Sequence, residues 1–324
     1  VANMGAYLSN FAPFIPTLAA IKVMPGVYDV KSLHVRVRGV FTHTVPIDAY
    51  RGAGRPESIY MIERLMDKAA QELSIDRIEL RRKNFISPDR MPFTTTAGEV
   101  YDSGDFERVI DTVIEKADWK SFEDRRAEAK TLGRRRGIGL CYYIESTMGD
   151  PGEAAEVRFE KDGTVSLLVG TQSNGQGHET AYAQVASDRL GVSIDTIRVV
   201  QGDTDLIATG GGTGGSRSLT AQATAIDAAA DLVIERGKHY AAQSLEASVA
   251  DIEFDEGTFR IAGTDRHIAI LELARQARTM DAPNQEIEGG LDARGTIILP
   301  AWTFPNGCHV AEVEVDPLTG DTIL

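Results

Sequence analysis

Cysteine is almost absent from this 324-residue chain: Cys141 and Cys308 are the only two, and they lie far apart. That excludes a disulfide framework and a Cys-x-x-Cys metal or iron–sulfur site. Basic residues are also in deficit, with 34 Lys and Arg against 48 Asp and Glu, a formal net charge of −14. Nucleic acid is therefore not expected as a partner, because phosphate backbones need a cationic surface. No apolar run reaches about 18 residues, so no membrane span is expected. The first residues lack a basic segment leading into an apolar core, so no signal peptide is expected and the reading is cytoplasmic. No repeat or low-complexity segment stands out.

What is present is an ordinary globular composition, 42% hydrophobic and 25% charged, and a length that suits about two domains. Two glycine-rich loops stand out: Gly170-Thr171-Gln172-Ser173-Asn174-Gly175-Gln176-Gly177-His178 and Gly210-Gly211-Gly212-Thr213-Gly214-Gly215-Ser216-Arg217-Ser218. Each follows an extended β-branched stretch and opens onto a helical pattern. Unpaired N–H groups at a helix start, with glycines allowing close approach, suit a phosphate. Two such loops suggest a cofactor with a pyrophosphate bridge. Neither is a Walker A sequence, and neither gives a clean Gly-x-Gly-x-x-Gly with an acidic residue about 20 positions on.

The pattern along the chain is mixed. Residues 31–46 alternate in polarity and are rich in Val and Thr, which predicts a strand pair leading into Tyr50-Arg51-Gly52-Ala53-Gly54-Arg55. Ile59, Ile62, Leu65, Met66 and Ala69 recur at helical spacing after Pro56, which suits a first helical turn. Asp76 is a candidate cap for a short helix toward Asn84. Residues 86–105 read as irregular connection, and a charged helix is expected over 105–131. Strands are expected at 138–144, 156–159, 164–169, 197–201 and 310–315, with hairpins turning at Asp162-Gly163 and near Glu256-Gly257. Helices are expected at 178–190, 216–244 and 268–278. The tract Asp316 to Asp321 reads as a turn into a strand interrupted at Leu324, so both chain ends are expected to be cut. Hairpins mixed with helices predict an α+β fold.

These loops, with the Tyr50 to Arg55 turn, Leu80-Arg81-Arg82-Lys83-Asn84 and His309 to Asp316, resemble the molybdopterin-binding large subunit of the xanthine dehydrogenase / aldehyde oxidase / carbon monoxide dehydrogenase family. The resemblance implies that Gly175, Gln176, Gly177 and His178 form one cofactor loop and Gly212, Thr213, Gly215, Ser216 and Arg217 the other. It implies molybdenum held by the pterin dithiolene with no protein metal ligand, and the pterin in its cytosine dinucleotide form. The reaction implied is hydroxylation of a carbon centre with water as the oxygen source. Electrons would leave through an iron–sulfur small subunit and an FAD-binding medium subunit, in a dimer of heterotrimers. The division implied is 1–93 as the C-terminal part of a first cofactor-binding domain, 94–133 as a connection, and 134–324 as a second.

Departures from the family pattern bear on the substrate. The carbon monoxide-oxidising members have Cys directly after the motif Arg; here Gly52 follows Arg51. Purine-oxidising members carry Phe two places after that Arg, where this chain has Ala53, and an upstream clamping Arg, whereas the first Arg here is Arg36. An aldehyde or another aromatic N-heterocycle remains as the small organic substrate. Arg51 and Gly52 are expected in the pocket loop beside the metal, with Ala53 and Gly54 lining the substrate pocket. The family's general-base Glu is expected beyond Leu324, so the chain alone is expected to be inactive. A competing expectation is a binding or assembly scaffold that holds a nucleotide-like cofactor without catalysis. Among single residues, Gln176 is weighed as a helix cap against a cofactor contact. His178-Glu179 lacks a second His at i+4, which argues against zinc. Ser216 is expected to cap the Ala-rich helix, with Arg217 beside an anion. Glu145 has no motif marking it as a base.

Overall fold

The computed structural model describes residues 3–283 and 290–324. The chain divides into two compact units, 1–146 with 303–324, and 147–302.

In the first unit a π-helical turn at Ile15–Ala19 leads into α1 (Ala20–Lys22), then α2 (Arg55–Leu73) and α3 (Arg77–Arg82). A small hairpin, β1 (Phe93–Thr94) and β2 (Val100–Tyr101), precedes α4 (Phe106–Lys116), α5 (Phe122–Thr131) and β3 (Arg135–Ile144). Asp76 caps α3 as expected, accepting from the N–H groups of Ile78 and Glu79. The helix expected over 105–131 is broken in two. Asp118 sits at φ +45°, outside the right-handed helical region, and accepts from the Ser121 hydroxyl at 2.7 Å.

Residues 31–46 form no strand ladder. Their alternation satisfies the propensity of a strand, but a strand also needs a partner edge. Only scattered bonds such as Ala6 N to Thr44 O and Thr42 N to Gly5 O are made. The stripe on α2 is also not as expected. Leu65 is exposed, whereas Glu63 is buried and accepts from Arg81 Nε at 3.1 Å and Tyr142 N at 2.9 Å. Arg81, itself fully buried, also reaches Asp67 at 2.9 Å. A buried carboxylate is tolerable here because its lone pairs and charge are both met. Around this knot Tyr28, Phe85, Phe106 and Tyr142 pack at centroid distances of 5.5–6.3 Å, Tyr28 stacked on Phe85 and the other pairs tilted or edge-on.

The second unit holds β4 (Gly152–Phe159), β5 (Val165–Val169), α6 (His178–Leu190), β6 (Ile197–Gln201) and α7 (Ser218–Ser244). It continues with β7 (Ile252–Asp255), β8 (Thr258–Ile261), β9 (His267–Ala269), α8 (Ile270–Ala277) and β10 (Ala293–Ile298). The main sheet runs β10-β4-β5-β6, with β5 and β6 parallel and the other pairs antiparallel. Strands β7, β8 and β9 form a separate antiparallel sheet. Buried Ala221, Ala225, Ala229 and Ala230 line α7. These small side chains let it lie close on β10 and β4. A Cβ on Gly295 of β10 would fall 2.4 Å from the Ala229 backbone nitrogen.

The chain then returns to the first unit through β11 (Asn306–Val315) and β12 (Thr322–Ile323). Strand β11 pairs antiparallel with β3 along their whole length. The fold is thus α+β, with helices on mixed sheets. Among the described residues no helix is long and apolar enough to cross a membrane.

Candidate functional site

In the second unit β5 and β6 lie side by side and parallel, with Val169 opposite Gln201, so their carboxyl ends share one edge of the sheet. The two glycine loops leave from that edge, one after each strand. Ligands of α/β sheets gather at this edge, where loops and helix N-termini converge. The loops are in contact. Gly212 N donates to Gly170 O at 3.3 Å, and Thr213 Oγ1 donates to Gln172 O at 2.5 Å. A Cβ on Gly170 would lie 2.4 Å from Gly210 Cα, so the crossing requires glycine.

Buried polar side chains fix this crossing. Thr171 N donates to Gln222 Oε1 at 3.2 Å, and Gln222 Nε2 donates to Ala154 O at 2.9 Å. Tyr182 OH lies 2.8 Å from Thr171 Oγ1 and donates to Ser218 O at 3.1 Å, tying α6 to the start of α7. Thr171 belongs to the first glycine loop but was assigned no role of its own, and Tyr182 and Gln222, which carry no motif, were missed by sequence reasoning. The signal in the sequence for Tyr182 and Gln222 is a polar group at an otherwise apolar helical position.

The loops present open backbone. Gly175 and Gly177 have φ of +93° and +80°, and a Cβ on either would meet nothing within 4 Å. Gly177 is the N-cap of α6 and offers no side chain, so the first N–H groups of that helix lack a side-chain cap. Gln176 does not cap the helix: its Oε1 accepts from Asn174 N within the loop. Gly212, Gly215 and Ser216 also have positive φ, at +69°, +63° and +59°. The Ala-rich helix begins at Ser218 with Arg217 as its N-cap. Ser216 thus lies one residue before the N-cap position of that helix.

Arg217 is buried and turned inward. Its Nη1 lies 2.8 Å from Glu153 Oε2 and 2.9 Å from Gly212 O; Nε reaches Asp150 O at 2.7 Å and Nη2 reaches Gly152 O at 2.6 Å. Glu153 Oε2 also accepts from Gly211 N at 3.3 Å. The guanidinium clasps the second loop to β4, with its charge met by Glu153. His178 is likewise buried. Its Nδ1 lies 3.4 Å from Gln201 Oε1, and its ring packs at 4.5 Å on Tyr182. Its Nε2 is buried with no hydrogen-bond partner among the described residues.

In the first unit, Arg51, Gly52 and Ala53 form a turn closed by Ala53 N to Tyr50 O at 2.8 Å and Arg55 N to Gly52 O at 2.9 Å. Arg51 is exposed. Gly54 has φ +89°, and a Cβ there would sit 2.5 Å from Ile15 O. Buried Arg55 anchors the turn through Ala53 O at 2.8 Å and through Glu145 at 2.6 Å. Glu145 is therefore an ion-pair partner of the turn.

Burial pushes the Cys141 thiol up to about 11 and the Cys308 thiol up to about 12, so both stay protonated at neutral pH. Two cavities, of about 470 and 620 Å³, include no residue of either glycine loop among their lining residues. Among the described residues no group of three His, Cys, Asp or Glu side chains is placed to hold a metal ion.

Comparison with known proteins supplies the class. Residues 1–85 and 112–324 each match a family model described as a molybdopterin cofactor-binding domain. The chain belongs to that family, and within it to the large subunits of the xanthine dehydrogenase and carbon monoxide dehydrogenase type. It is 32% identical to the carbon monoxide dehydrogenase large chain of Hydrogenophaga pseudoflava, over 99% of this chain and 42% of the relative. It is 31% identical to the 6-hydroxypseudooxynicotine dehydrogenase complex subunit gamma of Paenarthrobacter nicotinovorans, over 98% of this chain and 41% of the relative. Quinoline 2-oxidoreductase from Pseudomonas putida 86 superposes with a TM-score of 0.86 at 30% identity, covering 99% of this chain and 43% of that one. The chain thus spans about two fifths of the relatives it matches.

Proposed function

We propose that the two glycine loops of the second unit hold the pyrophosphate of a molybdopterin cofactor in its cytosine dinucleotide form, and that the whole protein is a molybdenum hydroxylase. The observation that carries this reading is the pair of parallel strands that brings both loops, touching, to one sheet edge. The residues present fit such a group. Gly175 and Gly177 leave a bare cradle, the α6 N-terminus offers uncapped N–H groups, and His178 Nε2 is a buried atom in want of a partner. The anion would be met by backbone dipoles, since the Arg217 charge is already matched by Glu153.

When bound, the cofactor supplies a molybdenum centre for oxidative hydroxylation with water as the oxygen source. The chain's own residues bind and orient. Thr171, Tyr182 and Gln222 fix the loop crossing, and Arg55 with Glu145 fixes the turn that carries Arg51, Gly52, Ala53 and Gly54. That turn is proposed to face the substrate, with Gly52 and Ala53 leaving room for a ring. Relatives are named for nicotine, 6-hydroxypseudooxynicotine and quinoline chemistry, which favours an aromatic N-heterocycle over an aldehyde. Electrons are proposed to leave through iron–sulfur and FAD subunits; one relative is itself named as a subunit of a complex.

The test is turnover by the purified full-length complex with quinoline, benzaldehyde and carbon monoxide, using an artificial electron acceptor. Ala53→Phe should cut quinoline turnover roughly tenfold or more, with bound molybdenum unchanged. Carbon monoxide as the best substrate, or quinoline kinetics indifferent to Ala53→Phe, would contradict this placement.

A further inference from the structure

The second residue of α6, Glu179, and the last residue of β6, Gln201, both adjoin the buried imidazole of His178 at the edge where the loops emerge. Gln201 Nε2 donates to Glu179 Oε1 at 2.6 Å. A carboxylate only accepts, so this contact fixes which end of the Gln201 amide faces Glu179 and turns its Oε1 toward His178. An amide oxygen also only accepts. The His178 nitrogen facing it at 3.4 Å, Nδ1, must then carry the proton. In a neutral ring Nε2 is left as a bare lone pair. That atom is buried and unpartnered among the described residues, and the Tyr182 ring packed on the imidazole restrains its rotation. Tyr182 is in turn held at its hydroxyl by Thr171 and Ser218 O.

We infer that Glu179 and Gln201 are positioning residues that fix His178 in its Nδ1–H tautomer, so that Nε2 accepts a hydrogen bond from an N–H or O–H group of whatever the first glycine loop holds. A bare phosphate oxygen has no proton to give and cannot be the partner of this atom. The phosphate is left to the backbone N–H groups of the loop, and His178 selects the donor-bearing part of the same ligand. The ligand half of this inference rests on the cofactor reading above. The tautomer half stands on the side-chain geometry alone.

The experiment is long-range proton–nitrogen NMR on the full-length protein labelled with ¹⁵N-histidine, at about pH 8, above the ordinary imidazole value of about 6.5. The His178 signals are assigned by their loss in His178→Gln. The wild type should show the proton on Nδ1 and a bare Nε2. Gln201→Leu should replace that pattern with the Nε2–H form, and Glu179→Gln, which frees the Gln201 amide to turn over, should give a mixture. A wild-type Nε2–H form, or a tautomer unmoved by Gln201→Leu, overturns the relay. In protein carrying its cofactor, Nε2 should remain unprotonated and show the shift of a hydrogen-bond acceptor; a protonated Nε2 overturns the ligand half. Failure of the cofactor reading would look different, as absence of molybdenum and nucleotide from protein whose His178 still has its proton on Nδ1.

Discussion

Arg217 shows how far a side chain's role depends on what surrounds it. In the sequence it follows a glycine run at a helix start and looks like a cation for an anionic ligand. In the fold it is buried against Glu153 and three backbone carbonyls. The partner, 64 positions earlier in the chain, has no local signature. Removing only one member of such a pair leaves a buried charge unmatched. Glu153→Gln should therefore destabilise the protein by about 3–5 kcal/mol in a urea unfolding experiment. A change below about 0.5 kcal/mol, the scale of an ordinary surface substitution, would show that the clasp is not structural. Glu63 has the same lesson: a charged residue buried on α2 became legible only once Arg81 and the Tyr142 N–H were placed beside it.

At the scale of elements, helices with a strong period and a cap were plain in the sequence. The helix begun by Arg55 and Pro56 and the one capped by Asp76 both stand. The two strands that lead into the glycine loops were equally legible, because Val165 and Val169 in one and Ile197, Val199 and Val200 in the other supply β-branched residues in short, mostly apolar runs. Their being parallel neighbours was not, since pairing is decided by the α6 crossover and the α7 packing. Strand β10 escaped altogether, because a glycine in mid-strand reads as a breaker. In the structure Gly295 is instead the point where β10 meets the backbone of α7, with room for no Cβ. Gly295→Ala is expected to lower stability by about 1–3 kcal/mol through overpacking, measurable as a fall in the unfolding midpoint. An unchanged midpoint would mean that α7 does not sit against that strand. The segment 31–46 fails in the opposite direction, having strand propensity without a partner edge.

Across the whole molecule the acidic balance is partly tied up in ion pairs that hold the returning strand β11. Arg125 donates to Glu312 at 2.6 Å and Arg136 to Glu314 at 2.7 Å. The hydrogen bond from Arg125 holds the Glu312 carboxyl below its ordinary value of 4.5. A carboxylate whose folded value is depressed contributes stability above its unfolded value and loses it as pH falls through the folded one. The gap in melting temperature between wild type and Glu312→Gln should therefore be full at neutral pH and close as pH drops below about 4.5. A gap that stayed constant down to about pH 3 would remove this pair from the acid response.

The claim on which the functional account turns is that both glycine loops grip one cofactor. Two substitutions probe it without disturbing the scaffold. Gly214 has open space where a Cβ would point and no left-handed backbone, and Gly177 has open space and a φ that Asn tolerates. The measurement is molybdenum and cytidine nucleotide per chain in purified full-length Gly177→Asn and Gly214→Val, with circular dichroism to confirm an intact fold. The account predicts that each variant loses metal and nucleotide together, to roughly a tenth of wild type, a loss of about 1.4 kcal/mol or more in retention. Full metal and nucleotide in either folded variant would contradict it.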